Sequence, residues 1–109
     1  MAFNEILAER VRDLFVDQPD LTEQKMFGGL AFLLSGNMAD GISGNSLMVR
    51  VGADNYEAAL AEPGVDVFEK TGNPMRGWVL ASPEIIGSDD GLAAWVDRGA
   101  TIAKTLPPK

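Results

Sequence analysis

Lys25, Arg50, Lys70 and Arg76 are the side chains best equipped to hold an anion. An arginine offers a planar fork of donors that matches a carboxylate or phosphate, and a lysine offers a mobile point charge. If the fold brings them together they form a binding patch; if it separates them they are surface charges paired with Asp or Glu. Trp78 stands two residues from Arg76, so on an unbroken strand both side chains share a face. An aromatic ring beside a cation is the physical route to stacking against single-stranded nucleic acid, while core packing is the competing role for Trp78, Phe27 and Trp95. Lys25, Arg50, Lys70, Arg76 and Trp78 are therefore the expected binding residues.

Catalytic residues are not expected. The chain has no histidine and no cysteine, which removes imidazole bases, thiolate nucleophiles, disulfides and Cys/His metal sites. Ser35, Ser43, Ser46 and Ser88 would need Lys25 or Lys70 as an unusual base, and no spacing argues for that. Asp89 and Asp90 are adjacent, so on a helix they diverge; they suit the start of a helix better than an acid/base pair. Gly28-Gly29 lies in neither a P-loop nor a dinucleotide pattern and is read as conformational freedom or close backbone approach. No EF-hand spacing occurs, and no cofactor or metal is expected.

With 109 residues, the chain is expected to form one domain over 1–109. Sixteen acidic against nine basic residues give a net charge of -7, which disfavours general attraction to nucleic acid. No apolar run is long enough to cross a bilayer and Met1–Glu5 lacks a basic region followed by a continuous apolar segment, so the expected location is the cytoplasm, which the lack of cysteine suits.

The elements that must position these residues follow from periodicity. Phe3, Ile6, Leu7, Val11, Leu14 and Phe15 recur on one helical face, and Pro19 follows the end of that helix. The chain is then expected to turn through Asp20–Glu23. Leu30–Leu34, Met38–Ile42 and Leu47–Val51 read as a meander joined by Ser35-Gly36-Asn37 and Gly44-Asn45. Asp54 and Glu57 have capping-box spacing for a short helix carrying Tyr56, Ala59 and Leu60. Val65–Glu69 and Met75–Ala81 are two more strands around a Thr71-Gly72-Asn73-Pro74 turn. Ser88 caps a final helix along which Leu92, Trp95, Val96, Gly99, Ile102, Ala103 and Leu106 recur, stopped by Pro107-Pro108. The expected fold class is α+β, an antiparallel sheet packed against helices in the order α-β-β-β-α-β-β-α.

Lys25-Met26-Phe27-Gly28-Gly29-Leu30, Asn37-Met38, Leu47-Met48-Val49-Arg50-Val51 and Gly72-Asn73-Pro74-Met75-Arg76-Gly77-Trp78, in this order before a terminal helix, resemble the TfoX N-terminal domain. The resemblance covers nearly the whole chain and implies a compact α+β domain with an antiparallel sheet. Longer relatives join this domain to a C-terminal TfoX domain and are associated with natural competence; this chain is similar to the small stand-alone TfoX-like proteins. The resemblance supplies no catalytic constellation. Three functions follow in order: a non-catalytic binding or regulatory module acting through a protein partner or as a homodimer, a nucleic-acid-associated transcription or competence regulator, and a small-anion-binding enzyme.

Overall fold

A computed structural model describes residues 4–26, 29–70 and 73–108. The readings of Phe3, Phe27, Gly28, Thr71 and Gly72 lie outside the described residues, as does the side chain of Lys70. The elements are α1 (Glu5–Leu14), β1 (Leu21–Met26), β2 (Gly29–Leu34), β3 (Asn37–Ser43), β4 (Ser46–Arg50), a 3₁₀ turn (Ala53–Asn55), α2 (Tyr56–Leu60), β5 (Val65–Lys70), β6 (Asn73–Ala81), α3 (Pro83–Ile86) and α4 (Asp89–Lys104). All strand pairs are antiparallel, in the order β1-β2-β3-β4-β6-β5. The fold is α+β, an antiparallel sheet packed against helices as expected, with six strands where five are expected.

Alternation along the strands separates two faces. Leu30, Phe32, Leu34, Ile42, Leu47, Val49, Val51, Val65, Val79 and Ala81 join residues of all four helices in one buried cluster. Phe15 of the α1 cap stacks on Phe32 with ring centroids 6.1 Å apart. The alternate positions, among them Ala31, Leu33, Met38, Met48, Trp78 and Leu80, stand outside that cluster.

Local chemistry explains the element ends. The Asn4 side chain accepts from the backbone N–H of Ile6 at 2.9 Å and Leu7 at 3.1 Å, and the Ser88 hydroxyl accepts from Gly91 N–H at 3.0 Å. Ser88 thus caps α4, with Asp89 and Asp90 in the first turn, as its sequence predicts. The β2–β3 hairpin turns on Ser35 and Gly36, both at positive φ (50° and 83°), a backbone twist that matches the strands it joins.

Four expectations need correction. Asp20–Glu23 is not merely a turn, because Leu21–Met26 forms β1, the strand at one sheet edge. Asp54 does not cap α2: it lies within the 3₁₀ turn, and Asn55 precedes the helix without a side-chain capping bond. Asn73 and Pro74 belong to β6 rather than to a free turn. A short helix, α3, also intervenes before α4, with Pro83 in its first turn, where the missing N–H costs nothing.

α4 packs on β2, β3 and β4, and its approach is closest at Gly99. A methyl group there would overlap the backbone oxygen of Ala39 and the carboxylate of Asp40. Backbone cannot rotate aside, so Gly99→Ala should lower stability by about 1–3 kcal/mol, the usual cost of overpacking, read from the urea midpoint. Ser88→Ala, which removes only a cap, should cost about 1 kcal/mol in the same measurement.

Candidate functional site

Arg50 and Trp78 are directly opposite each other on β4 and β6. The Arg50 guanidinium carbon lies 5.3 Å from the Trp78 ring centroid, within reach of a cation–π attraction. Arg50 Nη1 also donates to the Met38 carbonyl at 3.1 Å, which fixes the guanidinium over β3. Around this pair the same sheet face presents half-buried Leu33, Met38 and Leu80 above fully buried Ala31 and Met48. Gly41 lies beneath the methionines: a Cβ there would stand 2.5 Å from the Met48 methyl and 2.8 Å from that of Met38. The result is an apolar surface with a cation at one side.

Arg76 does not share this corner in the simple way that strand alternation suggests. Gly77 takes φ +94°, and its carbonyl accepts from Val51 N–H at 2.8 Å and Gly52 N–H at 3.1 Å. Between the pairs Val67–Val79 and Glu69–Pro74, β6 runs through Met75–Trp78 while β5 advances by Phe68 alone. Across this irregularity the Arg76 guanidinium lies 5.7 Å from the ring centre of Tyr56, on α2, while Trp78 stays under Arg50.

Lys25 is farther still. It lies on β1, three strands from β4, a lateral separation of about 14 Å at the usual strand spacing. It also faces the other side, lining a cleft of about 240 Å³ under α1 with Glu5, Glu9, Arg12 and Glu23. Arg12 grips Glu23 through two hydrogen bonds of 2.5 and 2.8 Å. That contact holds the Glu23 carboxyl below its usual range and the Arg12 guanidinium above its own. Lys70 ends β5, at the opposite sheet edge from Lys25. Of the five residues singled out from sequence, Arg50 and Trp78 meet, whereas Lys25 stands apart from them.

Trp95 takes the packing role: it is buried, and Arg98 lies 3.9 Å from its ring centre while bonding Glu62 at 2.9 Å. Asp89 pairs with Arg10 at 3.1 Å. None of the described ion pairs includes Arg50, Arg76 or Lys25.

Sequence reasoning missed Asp40. Through the regular pairs Leu30–Ile42 and Phe32–Asp40, Asp40 shares the helix-side face of Ile42; the β2–β3 register then shifts before Leu33–Met38, leaving Ala39 as the extra residue and putting Met38 on the other face. Asp40 is fully buried against α4, and neither oxygen has a hydrogen-bond partner among the described residues. Burial pushes this carboxyl well above its usual range, and repulsion from Asp97 on α4 adds to the shift. The signal available in the sequence was a lone acid inside the apolar run Met38–Ile42.

Among the described residues, no three His, Cys, Asp or Glu side chains gather as a metal site, and the acids and bases named above are dispersed over two sheet faces. The model of the TfoX N-terminal domain matches residues 13–103. The chain belongs to the TfoX N-terminal domain family. A search of curated proteins found no match. None of the chain's described helices is long and apolar enough to cross a membrane.

Asp40 gives the domain a distinctive pH dependence. Its folded pKa exceeds the unfolded value of about 3.9, so the folded state retains a proton that the unfolded chain releases. The stabilising contribution is complete below about pH 4 and is lost as pH rises through the folded pKa. Glu23 acts oppositely, its contribution being lost as pH falls through its lowered pKa. Urea unfolding above pH 5 should therefore show stability declining with pH in the wild type, and Asp40→Asn should flatten that decline and be the more stable protein at the alkaline end.

Proposed function

We propose that this TfoX N-terminal domain works by protein association through the uncovered sheet face, with Arg50 and Trp78 as its polar corner. The observation that carries this reading is that Leu33, Met38, Trp78 and Leu80, partly exposed apolar residues, share the sheet face outside the helix-packed core. Apolar surface that stays wet is a source of binding free energy when a partner covers it. Arg50 adds direction. It makes none of the described ion pairs, although the chain carries sixteen acidic residues. A partner segment with apolar side chains and a carboxylate would bury the first against the methionines and leucines and offer the second to the guanidinium.

The chain's net charge of -7 weighs against a polyanionic partner, and the spread of Lys25 from Arg50 removes one expected phosphate contact from such a patch. A regulatory role in the cytoplasm fits a cysteine-free module of this kind.

Selection of a random peptide display library on the purified chain tests this reading. Enriched peptides should combine apolar residues with Asp or Glu, bind wild type, and lose at least about tenfold in affinity to Arg50→Glu and Leu80→Glu, a loss of about 1.4 kcal/mol. Enrichment of basic peptides, or binders indifferent to both substitutions, would overturn it. Salt-sensitive binding of mixed-sequence DNA that Arg50→Glu abolishes would favour the nucleic-acid regulator instead.

A further inference from the structure

We infer that the outer edge of β1 pairs antiparallel with β1 of a second copy of this chain, about a two-fold axis through Gln24. Ser35 N–H donates to the Asp20 carbonyl at 3.2 Å, which fixes the phase of hydrogen bonding between β1 and β2. Continued along the register Thr22–Leu33 and Gln24–Ala31, the bonds to β2 belong to Thr22 and Gln24. Leu21, Glu23 and Lys25 then turn their backbone N–H and C=O groups outward. Leu21 N–H is accounted for, since it donates to Gln18 at 3.2 Å. Glu23 and Lys25 are left with four outward groups on a strand that has no second neighbour among the described strands.

Thr22, Glu23, Gln24 and Lys25 are all exposed, so the edge is accessible. Its pairing with β2 is unbroken over six residues, whereas the opposite edge strand, β5, carries a register shift between Val67 and Glu69. A regular edge is a template for another strand, and an irregular one is protected.

Charge selects the partner and the register. An antiparallel pairing centred on Glu23 or on Lys25 puts like charges opposite each other at its centre. Centred on Gln24, it puts Glu23 of each copy opposite Lys25 of the other, twice per dimer. The same register makes each Glu23–Lys25 pair a hydrogen-bonded one, so each exchanges two backbone bonds. Both side chains project to the α1 side, where Glu23 already holds Arg12 and Lys25 has no partner among the described ion pairs. The two-fold axis runs perpendicular to the sheets, so the joined assembly is a continuous twelve-stranded sheet with both uncovered faces on one side. The inference does not depend on what those faces bind.

Sedimentation velocity over a concentration series tests it with wild type, Lys25→Glu, Glu23→Lys and an equimolar mixture of the two variants. Wild type should show a concentration-dependent dimer. Each variant alone places like charges opposite one another twice, and its dissociation constant should rise at least about tenfold. In the mixture a chain with Glu at both positions meets one with Lys at both, and dimer should return. Leu80→Glu, on the uncovered face, should leave association unchanged. Glu23→Lys gives up the Arg12 contact, so its melting is compared with wild type; if it melts early, Lys25→Glu alone decides. A wild type that stays monomeric across the series, a Lys25→Glu protein that dimerises like wild type, or well-folded variants whose mixture stays monomeric would overturn the inference.

Discussion

The close approach of α4 to β3 at Gly99 is the contact on which the rest of the architecture depends. Because this residue lacks a side chain, helix backbone lies directly against strand backbone, and Trp95, Val96, Ala100 and Ala103 reach the sheet from the same helix. Helices α1, α2 and α3 then fill the flanks of the same layer. All the helical covering is thereby spent on one face. The reverse face buries what it can with its own side chains, as the Met38 and Met48 methyls do above Gly41, and leaves the remainder half exposed.

Two irregularities decide which side chains face which way on this frame. Asp40 shares the helix-side face of Ile42 and the extra residue at Ala39 turns Met38 to the other face, so a carboxyl without a partner among the described residues lies where α4 comes closest to the sheet. Its preference for the neutral form is a consequence of that placement. The departure at Gly77 acts on the other sheet face: it directs Arg76 toward Tyr56 and leaves Trp78 to Arg50. In both places one backbone step outweighs the alternation of the surrounding strand, since a shift by one residue exchanges the faces.

These irregularities also mark where sequence reading stopped. The terminal helix was legible because Ser88 caps it and its apolar residues recur over four turns; the central strands were legible because Leu47-Met48-Val49-Arg50-Val51 and Trp78–Ala81 alternate cleanly. β1 was not, because an edge strand is wet on much of its surface and Thr22-Glu23-Gln24-Lys25 carries no apolar alternation. α3 is a single turn, too short for periodicity to register. Asp54 and Glu57 had the right spacing for a cap, but a 3₁₀ turn after Gly52 at φ +84° moved the start of the helix past Asp54. Of the candidate site, the Arg50–Trp78 partnership depends on β6 lying beside β4, a long-range choice that local patterns do not encode.

The claim that helices seal one face and leave the other accessible is tested most directly with the two tryptophans, one on each side. Acrylamide quenching of Trp78→Phe, which retains Trp95, and of Trp95→Phe, which retains Trp78, separates them. Trp95, 5% exposed beneath Arg98, should emit at short wavelength and resist quenching, whereas Trp78 should emit to the red of it and be quenched readily. Equal protection of both, or a Trp78 better shielded than Trp95, would contradict the account.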